Sequence, residues 1–333
     1  MSQTKKQLVL AAFHNEPVDR VPVGFWYHFL ENPENIQGLG QPEVAGKNIS
    51  GLTKFYNDFQ PDFVKIMSDG YFIYPNEALY AIKSVKEAAG IKPIGENAPW
   101  IEEQVELVKK ATNAFGNDVL LFYNIFAAPR YLEFMRSTAD ANDNFVKLLK
   151  EDKNALKHIL DVISDDIAAL ARRVIADGKA DGIYFSVQNI PRPEVTREVY
   201  EEIIAPAEKK ILAAVNQVSK NNILHICGYE GNKNDLTWYQ DYDANVINYA
   251  AVVEGVKLSE GKKIFGGKAV IGGLDNTKDG VLYKGSQEEI EASTEAIIKE
   301  AGKTGIIIGA DCTVPSDIEL KRLKWVRDKA ASL

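Results

Sequence analysis

The chain has 333 residues, a formal net charge of −8 and a pI of about 5.3. This negative balance argues against a nucleic-acid backbone or an anionic membrane as the main partner. No stretch reaches the roughly 18 apolar residues that a membrane-spanning helix needs. With two cysteines and no recognisable export signal, we expect a protein of the reducing cytoplasm.

The chain opens with a predicted helix over residues 4–13, and Pro17 lies in the turn that follows. An extended and mostly apolar segment comes next, over residues 21–25. Residues 32–50 are rich in Asn, Gly, Pro and Gln, and we expect them to form a long loop or lid. A second helix is predicted near residues 52–59.

Seven short apolar runs then alternate with segments of helical periodicity. The runs are predicted strands at residues 63–67, 119–125, 182–187, 222–227, 245–249, 268–273 and 305–309. Helices are predicted at residues 100–114, 143–177, 196–218 with an interruption at Pro206, 286–300, and after a capping pair at Ser316 and Glu319.

This alternation implies right-handed βαβ units and a parallel sheet. Residues 21–25 are a candidate eighth strand, and the count and the length fit a barrel better than an open doubly wound sheet. We find no repeat, low-complexity segment or linker in the sequence. We therefore expect the α/β class, as a (β/α)8 TIM barrel that forms a single domain over residues 1–333.

The fourth predicted strand ends in the motif His225-x-Cys227, which holds one of the two cysteines. Alternate side chains of a strand point to the same face, so this imidazole and thiolate could bind one ion without backbone distortion. The other cysteine, Cys312, lies between the last predicted strand and the final helix. Because barrel active sites lie at the C-terminal ends of the strands, all three side chains should reach the same mouth.

One histidine and two cysteines form the nitrogen and sulfur set that zinc prefers. Structural zinc sites normally use four protein ligands, whereas catalytic sites leave one position open. Because the chain has no third cysteine, we predict a catalytic zinc held by His225, Cys227 and Cys312, with an open position for water or substrate. The alternatives are two buried cysteines beside a hydrogen-bonded histidine, and a disulfide between Cys227 and Cys312.

Other polar side chains also fall at predicted strand ends and should rim the same mouth. They are Asp69, Asn124, Gln188 and Asp275.

Several of these residues resemble the uroporphyrinogen decarboxylase superfamily, in particular its zinc-dependent branch of methylcobamide:coenzyme M methyltransferases and related corrinoid demethylases. The resemblance extends over nearly the whole chain. Residues 17–23 resemble the opening segment of the superfamily, and residues 61–69 resemble its first strand and strand-end aspartate. The most specific match is His225-x-Cys227 with Cys312, which is similar to the H-x-C…C zinc motif of that branch.

The resemblance implies zinc as cofactor and methyl transfer between a corrinoid and a small molecule, such as a thiol or a methoxylated compound. The chain lacks the D-x-H-x-x-G signature of corrinoid carriers, so a separate corrinoid protein would dock at the barrel mouth.

Asp69 would then be catalytic, as an outer-shell acceptor or proton handler, unless it only caps a turn. Glu230 is a candidate fourth ligand. Asp311 should point away from Cys312, and His28 either lines the pocket or packs among aromatic rings.

The main alternative is a metal-free carboxy-lyase of the uroporphyrinogen decarboxylase type. Those enzymes grip a substrate bearing many carboxylates with arginines in an R-Q-A-G-R segment, whereas residues 25–30 of this chain contain no arginine. A noncatalytic metal sensor is a third hypothesis.

Overall fold

Seven parallel strands form one curled sheet in the computed structural model, which describes residues 2–31, 37–82, 85–115, 118–134, 141–188, 193–228 and 231–333. The strands stand in sequence order, whereas a doubly wound sheet reverses its strand order at a switch point. Nearly every strand residue is buried, because helices cover the outer face and side chains fill the inner one. The predicted strands are confirmed to within one residue: β1 Phe63–Ile66, β2 Leu120–Phe126, β3 Gly182–Val187, β4 Ile223–Ile226, β5 Val246–Tyr249, β6 Ala269–Leu274 and β7 Ile306–Ala310.

Helices follow the strands along the chain. The α-helices are α1 Lys5–Phe13, α2 Pro42–Phe59, α3 Glu77–Ala81, α4 Pro99–Phe115, α5 Ala128–Phe134, α6 Ala141–Glu151, α7 Lys153–Ala176, α8 Arg197–Val199, α9 Ala205–Val215, α10 Ala251–Glu254, α11 Leu258–Ile264, α12 Val281–Lys284, α13 Gln287–Ala301 and α14 Leu320–Ser332. Short 3₁₀ segments cover Val85–Gly90 and Leu236–Tyr239. In the described ranges, no helix combines the length and the apolar character that a membrane crossing requires.

The structure corrects the prediction for residues 32–50. Helix α2 begins at Pro42, because the fixed φ of proline and its missing N–H suit the first position of a helix. Its buried face includes Val44 and Leu52, which stand two helical turns apart. The polar composition of the segment concealed this apolar stripe. Residues 32–36 lie outside the described residues.

Two predicted helix boundaries have different outcomes. Pro206 interrupts its helix as expected, since a π-helical turn over Tyr200–Ile204 separates α8 from α9. The predicted cap at Ser316 is wrong. A turn that starts at Pro315 comes first, and α14 begins only at Leu320.

The candidate eighth strand forms a single parallel bridge rather than a regular strand. Ile308 N–H donates to Pro22 O at 2.9 Å, and Gly24 N–H donates to Ile308 O at 3.0 Å. On the other side, Asp62 N–H donates to Val23 O at 3.0 Å. Pro22 has no N–H with which to extend the ladder. The segment therefore contacts both β7 and the start of β1, but through few hydrogen bonds.

The curl of the sheet brings distant strands together. Three strand spacings separate β4 from β7, which would be about 14 Å in a flat sheet. Cys227 follows β4 and Cys312 follows β7, yet their sulfur atoms lie only 3.8 Å apart. The carboxyl ends of the strands therefore face a common space.

Candidate metal centre and cavity

The first two candidate ligands lie at the end of β4. His225 is 1% exposed and belongs to the strand. Cys227 comes just after it, but Cys227 N–H donates to Val187 O at 2.8 Å. This bond extends the ladder by one residue beyond β4. The side chain of Cys227 consequently stays on the same face as His225.

Cys312 reaches the same place from the end of β7. Asp311 N–H donates to Leu274 O at 2.8 Å and Val314 N–H donates to Trp26 O at 3.0 Å, so the chain is held on both sides of the cysteine. Cys312 Sγ lies 3.8 Å from Cys227 Sγ and 3.5 Å from His225 Nε2. A disulfide would need about 2.05 Å between the sulfurs, so the two cysteines do not form one.

These separations suit the coordination geometry of zinc. Bonds of about 2.3 Å to sulfur and about 2.0 Å to nitrogen, at tetrahedral angles, place two sulfurs about 3.8 Å apart and a sulfur and a nitrogen about 3.5 Å apart. The observed separations match both values. All three donor atoms lie within 4.8 Å of one another. The side chains could therefore hold a tetrahedral ion with little rearrangement.

Asn248 on β5 fixes the orientation of the histidine ring. Its Nδ2 donates to Ile271 O at 2.9 Å, which identifies Oδ1 as the acceptor end of the amide. Tyr184 O–H donates to this Oδ1 at 2.9 Å, and His225 Nδ1 lies 2.5 Å from it. Nδ1 must therefore carry the proton, and the lone pair of Nε2 is directed toward the thiols. Metal-ligating histidines normally have such a partner.

The charges around the thiols favour the thiolate. The pKa of the Cys312 thiol lies well below its ordinary value, because the Cys227 thiol hydrogen-bonds to it and the charge of Lys65 acts in the same direction, against the effect of burial. Burial lowers the pKa of Lys65 to about 8, although Cys312, Cys227 and Asp69 oppose that shift. At pH 7 the lysine is still mostly protonated.

A cavity of about 870 Å³ opens beside the three candidate ligands. This volume is large enough for a small-molecule ligand. Phe72, Phe126 and Phe134 form one wall, with ring centroids 5.1 Å apart in each pair. The cavity therefore combines a site for a metal ion with a surface that suits an apolar ligand body.

Asp69 does not line this cavity, but His28 does. Asp69 is fully buried, and it accepts hydrogen bonds from His28 Nδ1 at 2.7 Å and from Phe29 N–H at 3.0 Å. The carboxylate is therefore in hydrogen-bond contact with the cavity lining through the imidazole of His28.

The remaining candidates have mixed outcomes. Asn124 and Gln188 line the cavity, whereas Asp275 accepts from Thr277 N–H at 2.7 Å and caps a turn. Asp311 points away from the thiols as predicted, since its carboxylate accepts from two backbone N–H groups of α10, and burial raises its pKa to about 7. Glu230 lies outside the described residues.

The sequence prediction missed two side chains of this site, Lys65 and Asn248. Both occur inside apolar runs that were interpreted only as strands. A charged or amide residue within such a run was the available signal, because a buried polar side chain needs a partner.

Comparisons with known proteins show which sequences and folds this chain resembles. The chain is 20% identical over 328 residues to the methylcobamide:CoM methyltransferase MtbA of Methanosarcina mazei, with 92% of each chain covered. A solved methyltransferase structure from Methanosarcina mazei superposes with a TM-score of 0.70 at 18% identity, covering 99% of this chain and 98% of the other. A B12-independent methionine synthase from Shewanella sp. W3-18-1 gives 0.56 at 14% identity, covering 94% and 97%. At these identities the two structures establish likeness of fold alone.

The comparison with protein families gives the assignment. The family described as uroporphyrinogen decarboxylase (URO-D) matches residues 66–333, although the predicted opening segment at residues 17–23 lies outside the matched range. The match covers well over half of the sequence, and the predicted family is confirmed: the chain belongs to the uroporphyrinogen decarboxylase family.

Proposed function

We propose that this protein is a zinc-dependent methyltransferase that moves a methyl group between a corrinoid protein and a small molecule, such as a thiol or a methoxylated compound. The observation that carries the proposal is the convergence of His225 Nε2 with the sulfurs of Cys227 and Cys312 beside a cavity. The relatives named methylcobamide:CoM methyltransferase support the corrinoid part of the proposal.

The donor set explains why zinc suits the proposed reaction. Zinc, when bound, would act as a Lewis acid and keep a coordinated thiol deprotonated. Three protein ligands leave a position open for substrate. Asn248 would keep Nε2 of His225 unprotonated, and the phenylalanine wall would accommodate the body of the substrate.

We further propose that Asp69 is a positioning residue, which orients His28 as a proton acceptor or donor at the cavity. Asp69→Asn should then reduce turnover and change its pH profile, while zinc content stays as in wild type. Loss of zinc, or an unchanged pH profile, would argue for a purely structural carboxylate.

The wider setting of the reaction is part of the same proposal. Residues 1–333 would form one domain, in which residues 21–25 act as the eighth strand of a (β/α)8 barrel through their bonds to Ile308 and Asp62. A separate corrinoid protein would dock at the carboxyl ends of the strands. Because the two thiols must stay reduced, we place the protein in the reducing cytoplasm.

The decisive test is the zinc content per chain, measured by elemental analysis on the full-length protein. Wild type should hold about one zinc and Cys312→Ala should lose it. Asp311→Asn is the matched control, because this neighbour points away from the site and should retain zinc. Wild-type protein that takes up no zinc after reconstitution would overturn the proposal.

A metal-free carboxy-lyase is the second candidate, favoured by the family match and by the buried aspartate that follows β1. This activity would survive chelation and Cys227→Ala, whereas zinc-dependent methyl transfer would not survive either treatment.

A further inference from the structure

Lys65 is a buried lysine that faces the cavity and lies against two aromatic rings. It lies in β1 and is 4% exposed. Its Nζ stands 4.8 Å from the ring centroid of Trp26 and 4.2 Å from that of Tyr184. Within the described ranges, no carboxylate oxygen comes within 4.0 Å of this ammonium. Two aromatic faces compensate for only part of the lost hydration.

The other basic side chains described along the cavity are paired differently. Arg130 forms an ion pair with Glu133 at 2.7 Å, and His28 contacts Asp69 at 2.7 Å. Asp69 lies near enough to Lys65 to influence it, but its two oxygens are already bound. Lys65 is therefore the cation that a ligand in the cavity could neutralise.

Lys65 is close to the candidate metal ligands. The two rings that hold its ammonium also contact the ring of His225, with centroids 6.4 Å from Trp26 and 5.8 Å from Tyr184. Both thiols interact with the lysine through their charges. A charged ligand bound at the metal position would also interact electrostatically with the ammonium of Lys65.

The net charge of the metal complex shows which kind of ligand the ammonium of Lys65 favours. A divalent ion with two thiolates and a neutral imidazole has no net charge, so the ammonium neither attracts nor repels that complex strongly. A neutral donor in the open position leaves the count at zero. A thiol that binds through its sulfur and loses its proton to solvent gives the complex a net charge of −1. A nearby positive charge stabilises this anionic complex.

We infer that Lys65 is a specificity residue, whose ammonium makes the open position of the metal site prefer an anionic sulfur ligand over a neutral ligand. This inference rests on the proposed zinc site and adds that charge, as well as zinc affinity for sulfur, selects the substrate. Lys65 would thus contribute to ligand binding and not to zinc binding.

The test compares two small ligands on full-length, zinc-loaded protein by isothermal titration calorimetry. The thiol 2-mercaptoethanol binds as an anion, and imidazole binds as a neutral donor. In Lys65→Met, thiol affinity should fall about tenfold, which corresponds to about 1.4 kcal/mol, while imidazole affinity stays within about threefold. Lys220→Met is the control, since it removes an exposed lysine that precedes β4.

Two further measurements separate specificity from structure. Zinc affinity of Lys65→Met, from competition with a chelator, should not fall below that of wild type, because the filled site carries no net charge for the ammonium to stabilise. The metal-free variant should still unfold in one cooperative transition, because the ammonium forms no ion pair with a carboxylate in the described ranges. Lys65→Gln provides a second uncharged variant and should behave in the same way toward the two ligands.

Each other outcome is decisive. Equal losses for thiol and imidazole, or no loss for either, would overturn the role of Lys65 and leave the zinc proposal intact. Loss of the cooperative unfolding transition in both variants would assign Lys65 to packing and also overturn its role in specificity. If wild-type protein binds no zinc, the proposed function fails first and the inference fails with it.

Discussion

Replacement of Asn248 by leucine tests whether the amide sets the metal affinity of His225. The change removes the three hydrogen bonds that Asn248 makes with three buried groups, on His225, Tyr184 and Ile271. At about 1 kcal/mol for each group, the lowest usual cost, the free energy of unfolding should fall by about 3 kcal/mol. Loss of such a partner also weakens metal binding about 10- to 100-fold, or about 1.4 to 2.7 kcal/mol.

Asn222 offers a matched control for this experiment. It is as fully buried as Asn248 and also makes three hydrogen bonds, to Ile183 N–H, Asn216 Oδ1 and Ser219 O. It precedes β4, at the end of the strand that is distant from the metal site. Asn222→Leu should therefore cost similar stability without the loss of zinc affinity.

The assay needs two measurements on each protein. Urea unfolding of the metal-free form gives the stability, and competition with a chelator gives the zinc affinity. Both variants should lose stability, but only Asn248→Leu should lose zinc affinity. Equal zinc affinities in the two variants would refute the argument that this amide holds the histidine in its ligating tautomer.

Three further predictions concern stability. Gly24→Ala should destabilise the fold by about 1–3 kcal/mol, because a methyl group there would overlap a phenylalanine ring of β1. Gly46→Ala, on an open helix surface, should instead stabilise the fold by up to about 1 kcal/mol. Equal melting temperatures of the two variants would contradict this prediction. Asp62→Asn should lose about 1–3 kcal/mol in urea unfolding, since it weakens a bidentate ion pair with Arg20; an unchanged midpoint would contradict it. Burial raises the pKa of Glu208 from 4.5 to about 7, so the contribution of this side chain to stability should fall by about 3 kcal/mol between pH 4.5 and 7, because the unfolded chain ionises first; the stability of metal-free Glu208→Gln should fall less than that of wild type over this range, and equal slopes would contradict this.

The sequence was sufficient to predict that the three candidate metal ligands lie together, because their positions follow from local rules. A period of two places His225 and Cys227 on one face of a strand. The last strand–helix junction places Cys312 at the same end of the sheet. The buried strands could be predicted equally well, because parallel strands that are covered on both faces are continuous apolar runs in the sequence.

The supporting side chains could not be found in this way because they depend on how strands pair. Asn248 stands beside His225 only through the register between β4 and β5. Lys65 belongs to β1 and reaches the same cavity only because the sheet curls. Neither register nor curvature is encoded by local periodicity. Helix α2 was missed for a different reason, since proline, glycine and asparagine masked its apolar stripe.

Curvature of the sheet connects the stability of the fold to the candidate site. Cys227 and Cys312 follow strands that a flat sheet would hold far apart, so their 3.8 Å separation requires the curl. The segment around Gly24 bonds to β7 on one side and to Asp62 on the other, and Asp62 also accepts from Val23 N–H at 2.8 Å. Changes that loosen this segment should therefore increase the spread of the thiols and weaken metal binding without touching a ligand. Metal binding should in turn stabilise the curled sheet, because an ion that binds only the native arrangement favours it by mass action.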